Sequence, residues 1–299
     1  MVVQELDIRP VLKWVGGKRE LIPEIRKYYE FLQPHRYIEP FFGGGAVYFD
    51  VINTFGTDIQ SASIINDGNL DLIQLYRHIK TNPAEVISAC GELEKEYYSE
   101  GFYHIRARYN GEDKQKSPVD RYEGIERTAA FILLNRTCFN GLYRVNSRGL
   151  FNVPEGRYKN PRIVDPENLY KVSAILPPEE NIRNCEFDEV TEYQKGDLVY
   201  FDPPYHPLNI TSSFTNYNGS FGENEQVRLR DHFSKLNDLG VYLILSNSSA
   251  QLIKELYKDF DPIEVFASRN INSKSEKRGK IPEVLVVSES ITSYIPSEH

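Results

Sequence analysis

The 299-residue chain is poor in tryptophan, methionine and cysteine, with one, one and three residues against 20 tyrosines and 16 phenylalanines. The cysteines, Cys90, Cys138 and Cys185, are odd in number and far apart. That rules against a disulfide framework and fits reduced thiols in a cytoplasmic setting. None sits at a metal-ligand spacing and the six histidines are scattered, so no metal site is expected. No apolar run approaches the roughly 20 residues that span a bilayer. Met1 to Pro10 carries Glu5 and Asp7 and no apolar stretch, which predicts no secretory signal. Gly16-Gly17-Lys18-Arg19 lacks the spaced first glycine and the Ser/Thr of a Walker loop, which argues against a phosphate-transfer enzyme.

An overall basic charge is missing too. The net charge of −8 argues against a nucleic-acid partner when read globally. Electrostatic footprints are local, however. From Arg136 to Arg162, six bases (Arg136, Arg144, Arg148, Arg157, Lys159, Arg162) stand against one acid, Glu155. From Arg269 to Lys280, five bases stand against Glu276 alone. This pattern is compatible with a basic cleft on an acidic body; two solvated basic loops are the plainer alternative.

What is present centres on Leu198–Tyr205. Its apolar, β-branched and aromatic start predicts a buried strand. Asp202-Pro203-Pro204 ends it, because proline has no N–H for a ladder. A carboxylate thus falls at the C-terminal lip of a core strand, where open α/β sheets bind ligands. A simple turn is the alternative, although Tyr200, Phe201 and Tyr205 around it are more than a turn requires.

Earlier in the chain, Tyr37–Phe42 predicts a strand, Gly43-Gly44-Gly45 a turn and Ala46–Val51 a helix, the layout of a nucleotide-type cofactor loop. Three consecutive glycines do not fit the dinucleotide fingerprint. A second strand, Ser63–Asn66, ends at Asp67, an acid placed to accept from ribose hydroxyls. A helix is predicted from Leu21 to Leu32, and Leu70 to Tyr109 is helical in pattern, broken at Asn82-Pro83. Gly111–Glu123 reads as a loop and Glu126–Leu134 as a helix. Around Asn146-Ser147-Arg148-Gly149, short β-type runs rich in Arg, Asn and Tyr predict a hairpin suited to phosphates and base edges, with an ordinary polar hairpin packed on the insertion as the alternative. After Pro161 come a helix (Leu169–Leu176), a strand (Ile182–Phe187), the Asp202 strand, a long polar loop (Leu208–Gly222), a helix (Glu223–Leu239) and the strand Val241–Asn247. The chain closes with a helix (Leu252–Tyr257) and strands near Ile263–Ala267 and Glu283–Ser288.

Taken in order, Lys13-Trp14, Gly16-Gly17-Lys18, Glu39–Gly45, Asn66-Asp67, Asn140–Arg144 and Asp202–Tyr205 resemble the Dam family of DNA adenine-N6 methyltransferases. The resemblance spans nearly the whole chain. It implies an α/β fold: a Rossmann-like, S-adenosylmethionine-dependent methyltransferase sheet with an inserted, mainly helical target-recognition domain carrying a β-hairpin. The expected boundaries are 1–69 and 166–299 for the catalytic part and 70–165 for the insertion. The cofactor implied is S-adenosyl-L-methionine, contacted by Trp14, Lys18, Phe41, Gly43, Gly45, Asp67 and Asp202. The catalytic motif is Asp202, Pro203, Pro204 and Tyr205. Lys13, Asn140, Leu142, Arg144, Tyr158 and Lys159 would meet double-stranded DNA, with GATC as the expected site. A monomer is expected, with no membrane and, where a restriction endonuclease acts on the same site, no direct contact with it.

The resemblance also implies a chemistry. Adenine N6 is a poor nucleophile because its lone pair is delocalised, and inside a duplex it is out of reach, so the base would be flipped out. Asp202 and the Pro203 carbonyl would accept the two N6 hydrogens, and Tyr205 would stack on the ring. The alternatives are an N4-cytosine or RNA amino-methyltransferase, since the same acceptors serve any exocyclic amine, or an inactive DNA-binding relative.

Overall fold

The computed structural model describes residues 8–14, 16–208, 221–268 and 280–294. The chain divides into two compact units. The first comprises Met1–Gly17, Gly43–Phe49 and Asn69–Asn184; the second comprises Lys18–Phe42, Asp50–Gly68 and Cys185–His299.

A seven-stranded sheet has the order β3-β2-β1-β4-β5-β7-β6. Its strands are β1 (Tyr37–Glu39), β2 (Ile64–Asn66), β3 (Ile182–Arg183), β4 (Leu198–Phe201), β5 (Tyr242–Ser248), β6 (Ile263–Ser268) and β7 (Lys280–Val287). In the second unit β1, β2, β4 and β5 run parallel, and β7 enters antiparallel between β5 and β6. All four residues of β4 are buried, as its unbroken apolar run requires. Helix α8 (Glu223–Asp238) presents Leu229, Phe233 and Leu236 to this core, and α9 (Gln251–Leu256) presents Ile253. The chain order reverses between β1 and β4, so their C-terminal ends form the crevice in which such sheets bind ligands.

The first unit is mainly helical. It holds α3 (Leu70–Thr81), α4 (Pro83–Glu100), α5 (Phe102–Asn110), α6 (Gly124–Thr137) and α7 (Pro166–Ile175). The stretch Thr128–Asn135 of α6 is buried on every side, and α6 packs against α3, α4 and α5. Asn69 caps α3 through its side chain and Pro83 opens α4, which accounts for the break at Asn82-Pro83. Arg127 of α6 forms a bidentate pair with Asp71 of α3, which also accepts from Tyr109 of α5 at 2.6 Å. The expected hairpin is present in short form: Val145 and Phe151 bridge antiparallel, and Asn146 Oδ1 accepts from the Arg148 and Leu150 amides.

Two elements differ from expectation. The helix predicted over Leu21–Leu32 narrows to α1 (Ile22–Arg26), and the chain beyond continues as turns in which the Tyr28, Tyr29 and Leu32 amides bond three residues back and Glu30 four. The strand predicted over Ile182–Phe187 stops at Arg183. Beyond it the Cys185 amide donates to the Asn66 side chain at 3.0 Å, and Phe187–Glu189 closes a 3-10 turn. Helix α2 (Ala46–Phe55) and the short α10 (Glu289–Thr292) complete the helices among the described residues. Most of the polar loop Leu208–Gly222 and the basic stretch Arg269–Lys280 lies outside the described residues.

Candidate active site

In the second unit, Asp202 is the first residue past β4 and keeps 21% of its side chain open. Two donors meet on one of its oxygens. Lys18 Nζ lies 2.8 Å from Oδ1, and Ser246 Oγ donates to the same Oδ1 at 3.0 Å. Burial pushes the Asp202 carboxyl up from its ordinary range, and the Lys18 ammonium and the Ser246 hydroxyl pull against that rise without cancelling it. Behind Ser246 the buried Tyr200 hydroxyl lies 2.8 Å from Oγ.

The backbone after the two prolines is tied down by side chains. Gln226 Nε2 donates to the Pro204 carbonyl at 2.9 Å, and Gln226 Oε1 accepts from Asn247 Nδ2 at 3.0 Å. Asn247 Oδ1 accepts from the His206 amide, and Ser248 Oγ donates to the His206 carbonyl at 2.6 Å. Tyr205 is held at its hydroxyl, which donates to Glu283 Oε2 at 2.7 Å, while Lys18 Nζ lies 4.6 Å from its ring centroid. Burial pushes the Tyr205 and Tyr200 phenols well above their usual value, so both remain donors.

The same end of the sheet carries further acids. Asp67 comes directly after β2, and Glu39, which closes β1, is buried and accepts from Tyr37 at 2.8 Å. Asn66 fixes the neighbouring turns by donating to the Pro40 and Cys185 carbonyls. Phe41 stacks on Phe187 and meets Phe201 and Phe221 edge-on. Asp67 and Asp202 follow the two strands that flank β1, and acceptors so placed would suit a sulfonium cation and a ribose diol. The residues present fit S-adenosylmethionine.

The first unit holds the remaining candidates. Trp14 lies over the glycine turn: a Cβ on Gly43 would sit 2.9 Å from its Cδ1, and one on Gly44 2.9 Å from its Cβ. The indole stacks on Tyr143 at 5.6 Å and meets Phe131 edge-on. Gly43 and Gly45 both have positive φ, and Gly45 offers its carbonyl to the first bond of α2, from the Phe49 amide. Lys13 and Tyr158 come together: Lys13 Nζ donates to the Tyr158 hydroxyl at 3.3 Å and lies 4.3 Å from its ring. Arg144 is exposed and donates to Asn152 at 2.7 Å. Asn140 is exposed in a left-handed conformation, Leu142 is half-buried, and Lys159 is exposed. Asn135 accepts from the Lys13 amide and donates to the Lys13 and Gly141 carbonyls, joining the arm to the turn after α6.

Sequence patterns do not single out Ser246, Gln226, Asn247, Glu283 or Asn135. The signal for Ser246 and Asn247 was polar residues at the C-terminal end of an apolar strand beside Asp202. Glu283 and Asn135 gave no such signal.

A family model for D12 class N6 adenine-specific DNA methyltransferases matches residues 14–271. The type II methyltransferase M1.LlaDCHI of Lactococcus lactis subsp. cremoris is 43% identical over 288 residues, covering 94% of this chain and 96% of that protein. M.MjaIII of Methanocaldococcus jannaschii, also a type II methyltransferase, is 40% identical over 289 residues, covering 91% and 96%. The DNA adenine methylase of Escherichia coli K12 is 33% identical over 288 residues, covering 93% and 95%. With this match running from Trp14 past the Asp202 motif, the chain belongs to the D12 class of N6 adenine-specific DNA methyltransferases.

Proposed function

We propose that this enzyme transfers a methyl group from S-adenosylmethionine to N6 of an adenine flipped out of double-stranded DNA, within GATC, in the cytoplasm. The observation that carries the chemistry is the half-used Asp202 carboxylate. Both of its donors sit on Oδ1, and among the described residues none donates to Oδ2.

When bound, S-adenosylmethionine supplies the electrophilic methyl group. The chain's own residues prepare the acceptor. Asp202 Oδ2 and the Pro203 carbonyl take hydrogen bonds from the N6 amino group, which localises its lone pair and draws the nitrogen toward tetrahedral geometry. Tyr205, held by Glu283, stacks on the flipped ring. In the second unit Lys18, Phe41 and Asp67 are assigned to the cofactor, with Asp67 accepting from the ribose, and in the first unit Trp14, Gly43 and Gly45 are assigned to it as well. The helical unit serves target recognition: Leu142 and Arg144 read bases, Asn140 holds phosphate, and Lys13, Tyr158 and Lys159 complete the contact. Exposure of Arg144 and Asn140 supports this assignment. The enzyme acts as a monomer and makes no contact with a restriction enzyme for the same site.

The test is transfer of labelled methyl from S-adenosylmethionine to a GATC duplex beside a scrambled duplex, with wild type and Asp202→Ala. Label as N6-methyladenine in the GATC duplex alone, lost in a folded Asp202→Ala, is expected. Label in both duplexes removes the GATC assignment, and turnover by Asp202→Ala removes the role of that carboxylate.

A further inference from the structure

The parallel register of β4 and β5 pairs Phe201 with Leu245, so one step further brings Ser246 beside Asp202. Ser246 and Tyr200 are buried, with 0% and 1% of their surfaces exposed. A serine hydroxyl has one proton to give. An ionised carboxylate only accepts, so Ser246 spends its proton on Asp202 Oδ1, and the 2.8 Å contact to Tyr200 must be a donation from the phenol. The direction is fixed: Tyr200 to Ser246 to Asp202. Lys18 Nζ meets the same oxygen at 2.8 Å.

We infer that Ser246 is a positioning residue for methyl transfer, with Tyr200 polarising it from behind. Together with Lys18 it pins Oδ1 of Asp202 so that Oδ2 is turned to the amino group of the target adenine. This inference rests on the reading of Asp202 as the acceptor. Carboxylate orientation would otherwise be free about its last torsion, which is broad for an sp³–sp² bond. Two donors on one oxygen remove that freedom before substrate arrives, and such preorganisation acts on the transition state.

The groups facing the carboxyl are Lys18 ahead of α1, Tyr200 on β4, Tyr205 in the loop and, through Tyr205, Glu283 on β7; on β1, Glu39 is tied to Tyr37. Ser246 is one of the groups that hold the Asp202 carboxyl down against burial. Its removal therefore moves the acid limb of activity to higher pH.

The experiment compares wild type, Ser246→Ala, Tyr200→Phe, the double variant and Asp202→Ala in steady-state methylation of duplex DNA across pH, with circular dichroism as the folding check. A hydrogen bond to a charged group predicts a fall in kcat of about 10- to 100-fold for Ser246→Ala. KM for DNA and cofactor should stay within about twofold, as for an interaction made in the transition state. Tyr200→Phe should fall less and shift the limb the same way. The double variant should match Ser246→Ala, because Tyr200 acts only through that hydroxyl. A folded Ser246→Ala with wild-type kcat and an unmoved acid limb overturns the inference, as does a loss confined to KM. If Ser246→Ala does not fold, Tyr200→Phe decides: an unmoved limb and kcat overturn it. An active Asp202→Ala overturns the acceptor reading and this inference with it, whereas an inactive one beside a normal Ser246→Ala overturns this inference alone.

Discussion

Trp14 lies so close over Gly43 that a single added carbon there would come within 2.9 Å of indole Cδ1, and Gly43 also has a φ of +52°. Gly43→Ala therefore meets two penalties, a left-handed backbone and a displaced ring. A loss of about 2–4 kcal/mol is expected. In a Trp14→Ala background only the backbone cost of about 1–2 kcal/mol should remain. Thermal unfolding of the four proteins in that cycle measures the difference; equal costs in both backgrounds would show that the ring does not constrain the turn.

The raised Asp202 carboxyl gives activity a pH signature. If Asp202 must be ionised to accept from N6, activity is lost as pH falls through its folded pKa, which lies above the ordinary aspartate range because burial outweighs Lys18 and Ser246. The acid limb of kcat/KM, which reports the free enzyme, should therefore sit above that range. A limb at or below the value of an exposed aspartate would contradict this.

Arg144 stands exposed in the hairpin, where its guanidinium donates to Asn152. Arg144→Ala should relax discrimination at one base pair by about 1–3 kcal/mol and leave the salt dependence of binding nearly unchanged. Binding curves on single-substitution duplexes at several salt concentrations separate the cases. Uniform weakening with a shallower salt slope would make Arg144 a phosphate anchor instead.

The cysteines should differ in reactivity. Cys90 and Cys138 are fully buried, and burial pushes each thiol up to about 12, whereas Cys185 is half-buried. Alkylation of the native protein near neutral pH, read by mass spectrometry, should label Cys185 first and leave the other two until unfolding. Early labelling of Cys90 would mean that α4 opens locally.

The sequence carried most of the sheet and the position of the key acid, because Pro203 and Pro204 mark where β4 must stop and Gly43 to Gly45 mark a turn. It misplaced the end of β3 because a side chain, Asn66, takes the Cys185 amide over a separation of 119 residues. No local pattern announces such a bond. The same holds for the supports of the site: Ser246 reaches Asp202 across 44 residues and Glu283 reaches Tyr205 across 78. Periodicity reports which face is buried, and it is silent on which distant polar group will satisfy a given atom.

The antiparallel strand β7, wedged between β5 and β6, also sets a schedule for synthesis. It delivers Glu283 to a ring that left the ribosome 78 residues earlier. In chain order β1, β2, β4 and β5, with Asp202 after β4, all precede β7, which carries the Glu283 acceptor of the Tyr205 hydroxyl. A chain ending before β7 would therefore carry Asp202 yet lack the acceptor that holds the Tyr205 hydroxyl.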